Sequence, residues 1–391
     1  MNILYVVSRP LEINTSSSIR NRATILGLVE NGNNVDVFTT EPDKRHSAYD
    51  ATLTVEGVST TYIHLDGTQK AARLARRFKF LNPIKHWVYR WMSQNEIYDN
   101  LKGIVNYTDQ VDLSIKKYDA IISSSDPKSS HLFVDKLLDR QGSYFNGCWI
   151  QIWGDPFLSD ITRQSKSNAK AIKDEEERLL MRADRIIYVS SLTLMSQREV
   201  YSKSAFKMTF LPIPYMEQKH YENRDLNGVK TVELVYCGDY NRAVRDIRPL
   251  YDAVITMEGV HLTICGGSDM PMENCEKVTV LGRVPYKKVT ELEEKADILI
   301  HLSNLHGTQI PGKIYQYSGT NKPILFILDG ETDKLKSQFK LYNRFIFTDN
   351  NCRSIVDTIR LAIKDKQSFY PVPEFEKHLI AQKLISGVKD E

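Results

Sequence analysis

Short continuous apolar runs alternate along this chain with longer segments in which apolar residues return every three or four positions. In the first half, the runs at 3–7, 35–39, 118–123, 147–152 and 185–189 predict strands. The segments 18–31, 129–140, 169–182 and 191–200 predict helices between them, and Asn31-Gly32 is a helix stop. The strands are continuously apolar, as a parallel sheet covered on both faces requires. The pattern then breaks at Leu211-Pro-Ile-Pro-Tyr215 and the polar stretch 217–230, which reads as an interdomain linker. A second set follows, with strands at 232–237, 261–265, 278–281, 298–302 and 324–328. Its helices fall at 246–257, 286–295, 313–318 and 354–364, and the tail 374–388 reads as a last helix. This rhythm predicts an α/β protein with two Rossmann-like doubly wound domains and ligand at the carboxyl ends of the strands. The expected division is 1–212 and 213–373, with 374–391 packing back on the first domain.

A length of 391 residues fits two cores better than one. Hydrophobic residues at 41% and charged residues at 26% place the chain among ordinary globular proteins. A formal net charge of +3 gives no case for nucleic acid as a partner, and no nucleic-acid module is visible. Cys148, Cys237, Cys265, Cys275 and Cys352 form no Cys-x-x-Cys pair, which suggests reduced thiols and a cytoplasmic protein. Residues 1–7 read as a first strand, not a signal peptide, and no run approaches the ~18 apolar residues of a membrane span. The stretch 69–90 interleaves seven Lys or Arg residues with Leu74, Phe78, Phe80, Leu81, Trp87 and Tyr89. That pattern suits an anionic membrane surface, and hence a peripheral position at the inner face of a membrane, or else a solvated helix.

The most informative segment is 306–326, a polar loop with Gly307 and Gly312 that leads from one buried strand through a helix start at Lys313 to the next strand. Such a loop is a place to hold phosphate. Arg242, Arg245 and Lys313 supply positive charge around it, although the basic turn after 232–237 is also what a solvated surface looks like. No Asp-x-Asp pair occurs in the chain. In the first half, Asp155 follows a strand and His131 begins a helix; each is placed to orient a hydroxyl or act as a base. The plainer alternatives are a turn aspartate before Pro156 and a helix-capping histidine.

These residues carry a resemblance. Glu233-Leu-Val-Tyr-Cys-Gly-Asp239, Leu262-Thr-Ile-Cys-Gly-Gly267, Val278-Thr-Val-Leu-Gly-Arg-Val284 and Lys295-Ala-Asp-Ile-Leu-Ile-His-Leu-Ser303 occur in order before Pro311-Gly-Lys313. Together they resemble the nucleotide-sugar domain of GT-B glycosyltransferases of the family 4 kind. Ser123-Ser-Ser-Asp-Pro-Lys-Ser-Ser-His131, Trp149-Ile-Gln-Ile-Trp-Gly-Asp155 and Ala183-Asp-Arg-Ile-Ile-Tyr-Val-Ser190 resemble the first domain more loosely. The resemblance implies the GT-B architecture and transfer of a hexosyl or related group from a nucleotide-diphosphate sugar, with retained stereochemistry and without metal or other cofactor. The acceptor it implies is a glycan or lipid-linked glycan of surface polysaccharide synthesis. Donor-binding residues implied are Gly238, Arg242, Arg245, Gly266, Thr308, Gln309, Ile310, Pro311, Gly312, Lys313 and Gln316, with Arg9 and Ser17 on the acceptor side and Asp155 and His131 as catalytic candidates. Two departures stand out. The family's Gly-Arg is Gly238-Asp239 here, so the arginine role passes to Arg242, Arg245 or Arg9, and the family's paired glutamates fall on Thr308 and Gln316. The departures keep two alternatives open: a catalytically silent subunit that partners an active transferase, and a nucleotide-sugar epimerase.

Overall fold

The computed structural model of the protein describes residues 1–65, 96–161, 168–222, 224–226, 228–365 and 367–388. The basic, aromatic stretch 69–90 lies outside the described residues. The chain divides into two compact units, one of Met1–Ile13, Ser17–Leu211 and Ala381–Glu391, the other of Asn14–Ser16 and Pro212–Ile380.

The first unit is built on a seven-stranded parallel sheet in the order β3-β2-β1-β4-β5-β6-β7. Its strands are β1 (Asn2–Val6), β2 (Asn34–Thr40), β3 (Ser59–Ile63), β4 (Ala120–Ser124), β5 (Cys148–Trp153), β6 (Arg185–Tyr188) and β7 (Met208–Phe210). The helices are α1 (Ser16–Glu30), α2 (Ser129–Gln141), α3 (Ala169–Arg182) and α4 (Ser191–Val200). The central strands are buried end to end because helices cover both faces, and Leu4, Ile121, Trp149, Trp153 and Ile186 pack with Phe133 and Leu179 in one core. Parallel strand order reverses direction between β1 and β4, so the loops after those two strands diverge and leave a crevice at the carboxyl edge.

The second unit repeats the plan with six parallel strands in the order β10-β9-β8-β11-β12-β13. They are β8 (Val232–Cys237), β9 (Val260–Cys265), β10 (Val278–Leu281), β11 (Ile298–Leu302), β12 (Ile324–Leu328) and β13 (Ile346–Asp349). Around them lie α5 (Arg248–Ile255), α6 (Tyr286–Lys295), α7 (Lys313–Tyr317), α8 (Thr332–Lys340) and α9 (Cys352–Lys364). The reversal falls between β8 and β11.

The strands and helices read from the sequence are present, with shifts of a few residues at their ends. Among the strands, what the pattern missed is confined to the rims. Strands β3, β7 and β13 are all edge strands, and α8 leads into the last of them. An edge strand such as β3, with the sequence Ser-Thr-Thr-Tyr-Ile, has one face and one side open to water and carries no apolar run. The last helix, α10, is Lys377–Ile385, shorter than expected, after a 3₁₀ turn at Pro373–Phe375. Its end joins the first unit, where the Arg185 guanidinium donates to the carbonyls of Leu384 (2.9 Å) and Ser386 (2.7 Å).

The linker is not loose where it enters the second unit. Met216 N–H donates to Gln316 Oε1 at 3.0 Å, and Gln316 Nε2 donates to the Pro214 carbonyl at 2.9 Å. Tyr221 and Asn321 exchange a pair of hydrogen bonds, and Lys219 N–H meets the Gly319 carbonyl at 2.9 Å. Among the described residues, no helix is long and apolar enough to cross a membrane.

Candidate functional site

In the first unit, the loops after β4 and β5 bring together Asp126, Lys128, Asp155 and Asp160. Oxygens of the three carboxyl groups lie within 4.8 Å of one another. Lys128 Nζ is bonded between them, to Asp126 and, at 3.0 Å, to Asp160. Arg20, a buried residue of α1, enters from the other side and reaches toward Ser124. A Cβ at Gly154 would stand 2.4 Å from Arg20 Nη1, so glycine is what admits the guanidinium here. Burial alone would lower the Lys128 pKa, but the charges of Asp126, Asp160 and Asp155 outweigh it and hold the ammonium above its usual range. Asp155 moves the other way: burial first, and the Asp126 charge second, push it well above the ordinary carboxylate range, with Lys128 opposing. A protonated Asp155 beside Asp126 has that carboxylate to donate to, which raises its pKa further. The pair therefore holds a proton that two separate surface carboxylates would release, and the Lys128 ammonium sits in the position a cation between three carboxylates would take.

A second buried carboxyl sets this loop. Glu176, on α3, accepts from the backbone N–H of Phe157 (2.7 Å) and Leu158 (2.9 Å) and from the Tyr201 hydroxyl (2.7 Å). Those bonds fix the backbone between Asp155 and Asp160.

His131 is in the first turn of α2 and fully buried. Its Nδ1 lies 2.8 Å from Ser123 Oγ, which also accepts the Trp149 indole N–H at 2.9 Å, and its ring stacks 4.3 Å from Trp153. Burial, then the charges of Lys128 and Arg20, lower its pKa well below the usual histidine range, so the ring is neutral. Among the described residues, Nε2 is buried with no hydrogen-bond partner. Arg9 and Ser17 are half-buried in the connection from β1 to α1.

In the second unit, Arg245 stands at the strand reversal. Its Nε and Nη2 donate to Asn304 Oδ1, at 3.2 and 2.8 Å, and Nη1 donates to the Asp239 carbonyl at 2.6 Å. This links the loop after β8 to the loop after β11, helped by Leu305 N–H on the Val244 carbonyl at 2.8 Å. Both acceptors are neutral, and among the described residues no carboxylate pairs with this guanidinium. Arg242 is exposed, and its charge helps to lower the Asp246 pKa, after Arg248. Asp239, where the resemblance led to an expected arginine, pairs with Arg283 and accepts Gly267 N–H at 2.7 Å. Gly238 and Gly266 are pressed together: a Cβ at Gly266 would stand 2.0 Å from the Gly238 carbonyl oxygen. The sheet edge thus offers open backbone beside an unpaired positive charge.

The segment 308–316 lies beside β11 and begins α7, with Gln309 and Ile310 buried and Thr308, Pro311 and Gly312 half-buried. Helix α7 has five residues, too few for a helix dipole of consequence, so positive charge here comes from side chains. Lys313 Nζ lies 2.5 Å from Glu293 Oε1 and 5.6 Å from the Tyr317 ring centre. Burial opposes its charge, but Glu293 and the neighbouring Cys237 raise its pKa above the usual lysine value. Gln316 is spent on the linker backbone described above. Sequence reading missed Arg20, Asp126, Lys128, Asp160 and Glu176 in the first unit and Glu293, Asn304 and Arg283 in the second. The Ser-rich loop 123–131 held the signal for two of them, since Asp126 and Lys128 follow the end of a buried strand.

No family model matches the chain, and no curated protein matches it. Solved structures do. The lipopolysaccharide outer core galactosyltransferase WaaB, in its apo form, superposes with a TM-score of 0.53 over 99% of both chains at 13% identity. Anabaena HepE, solved with UDP and glucose, gives 0.54 over 98% of this chain and 95% of that one at 12% identity. A structure titled putative UDP-N-acetylglucosamine 2-epimerase from Listeria monocytogenes gives 0.53 over 100% and 96% at 9% identity. At these identities the likeness establishes the fold, and the fold is GT-B.

Proposed function

We propose that the protein is a glycosyltransferase that takes its sugar from a nucleotide diphosphate sugar bound by the second unit. The observation that carries this reading is Arg245, a guanidinium held at the strand reversal by neutral acceptors only, beside Gly238 and Gly266. A planar cation with its charge uncompensated, next to backbone that lacks side chains, suits a diphosphate. As the sugar leaves, negative charge grows on that diphosphate, and Arg245 with Lys313 would stabilise it without a metal. The first unit would hold the acceptor hydroxyl at Asp155 and Asp126, which keep one proton between them and can relay another. UDP in the HepE structure makes a UDP-sugar the first donor to try. Retention of stereochemistry, a glycan or lipid-linked glycan acceptor and attachment of 69–90 to an anionic membrane extend the same reading on the strength of the sequence resemblance and, for the acceptor, the WaaB likeness.

The test is a thermal-shift screen of the whole chain with UDP, GDP, ADP, CMP and their sugar conjugates, with and without EDTA. Binding to the folded state raises Tm by mass action. The expected result is a shift with one diphosphate class that survives EDTA and is lost in Arg245→Ala. No shift with any of them overturns the donor assignment. The three-carboxyl cluster also favours a second reading, an epimerase of nucleotide sugars, since epimerisation needs acid and base groups. Interconversion of the bound nucleotide sugar in the absence of acceptor, followed by NMR, would select that reading. Binding with neither interconversion nor transfer would select the silent subunit.

A further inference from the structure

Strands β8 and β9 both end in Cys-Gly, and the two cysteines are registered partners, Cys237 opposite Cys265. Registered residues on neighbouring parallel strands point to the same face, with strands about 4.8 Å apart. That spacing lies within the Cα separation of about 4.4–6.8 Å that a disulfide tolerates. Just beyond them the backbones close further, with Gly238 N–H on the Cys265 carbonyl at 2.8 Å and the Gly266–Gly238 approach described above. Both thiols are free and both are buried, and Cys265 Sγ lies 3.6 Å from the Gly282 carbonyl oxygen. Neither has a part in the proposed transfer.

We propose that Cys237 and Cys265 form a reversible redox pair that a hydroperoxide converts to a disulfide. The surroundings favour one order of events. The neighbouring Cys237 thiol lowers the Cys265 pKa, burial opposes this, and Lys313 lowers it further, whereas Cys237 is raised by Cys265 and by burial. Cys265 thiolate attacks one peroxide oxygen, the O–O bond breaks, and the departing hydroxide takes a proton to become water. The resulting Cys265 sulfenic acid is attacked by Cys237 sulfur; the S–S bond forms, the S–O bond breaks, and a second water leaves. Two thiols lose two electrons and two protons, and the peroxide becomes two waters. The new bond joins the residues immediately before Gly238 and Gly266, so oxidation reshapes the backbone of the candidate diphosphate site.

The test uses the whole chain. Protein is treated with a small excess of hydrogen peroxide, free thiols are alkylated, and non-reduced peptides are mapped by mass spectrometry. The expected result is one linked peptide pair containing Cys237 and Cys265, with five alkylatable thiols falling to three and returning to five after reduction. Cys237→Ser or Cys265→Ser abolishes the linked pair. The triple variant C148S/C275S/C352S, which leaves the strand pair intact, still forms it. Alkylation of all five thiols after treatment, or Cys265 found only as sulfinic acid, overturns the proposal. This readout requires no nucleotide, so it stands apart from the donor assignment.

Discussion

Gln316 and Met216 are joined by a 3.0 Å hydrogen bond from the Met216 backbone to the Gln316 side chain, and the other end of the same amide donates to the Pro214 carbonyl. One side chain satisfies a donor and an acceptor of the linker backbone, which only an amide does at that length. Gln316→Glu therefore replaces a donor facing Pro214 with a carboxylate oxygen facing a carbonyl oxygen. Thermal or urea unfolding is expected to show a loss of about 1–2 kcal/mol, with Gln316→Leu losing a similar amount. Equal stability of the Glu variant would mean that the amide is not used in this way.

Asp155 gives a pH dependence whose sign is fixed. Its folded pKa is raised, by burial and then by Asp126. The stability linked to its proton is fully present below the unfolded value of about 3.9 and is lost as pH rises through the folded value. Asp155→Asn keeps the donor and cannot ionise. The Tm of the variant relative to the parent is expected to rise as pH increases from about 4 to 8, while transfer activity falls at every pH. A difference in Tm that does not vary with pH would remove the shared proton.

Glu176 gathers three donors from 157, 158 and 201. Glu176→Ala leaves them buried without an acceptor, at a cost of about 3 kcal/mol. Glu176→Gln retains part of the set, and the loop carrying Asp155 and Asp160 is expected to shift. The readout is a fall in kcat with nucleotide affinity unchanged, as the proposed donor site in the other unit requires.

Gly266→Ala would drive a methyl group into the Gly238 carbonyl oxygen. The ends of β8 and β9 must part to admit it, and denaturant unfolding is expected to show a loss of more than ~2 kcal/mol. Arg245→Lys keeps the charge but gives up the fork that spans Asn304 and Asp239. Titration with the nucleotide diphosphate is expected to show roughly tenfold weaker binding.

The central strands were legible because burial on both faces forces continuous apolar runs, as in Ile298–Leu302 and Ile324–Leu328. The rim strands β3, β7 and β13 were not, because half of each is open and no run is required. The site was legible where glycine or a strand end marks it, at Gly238, Gly266 and Asp155. It was opaque where charge is buried. Arg20 and Glu176 sit in helices that carry both buried and exposed charged residues, and only the tertiary fold distinguishes the inner ones. Glu293 has the same disguise in α6, where its neighbours Glu291 and Glu294 are ordinary surface acids until Lys313 is seen against it. The exchange of Arg for Asp239 was visible, but its compensation by Arg283, on the far side of β9, was not.

Apart from Asn14–Ser16, the chain passes between its two units near residues 212 and 380, and both approaches are fastened to the same short stretch. Gln316, Gly319 and Asn321 hold the incoming strand of chain, and Ser318 takes Val372 N–H at 2.8 Å on the outgoing one, where Phe375 in turn receives Tyr215 N–H at 3.0 Å. Lys313 opens that stretch. A ligand that draws Lys313 away from Glu293 is therefore expected to act on one short stretch that holds both segments of chain.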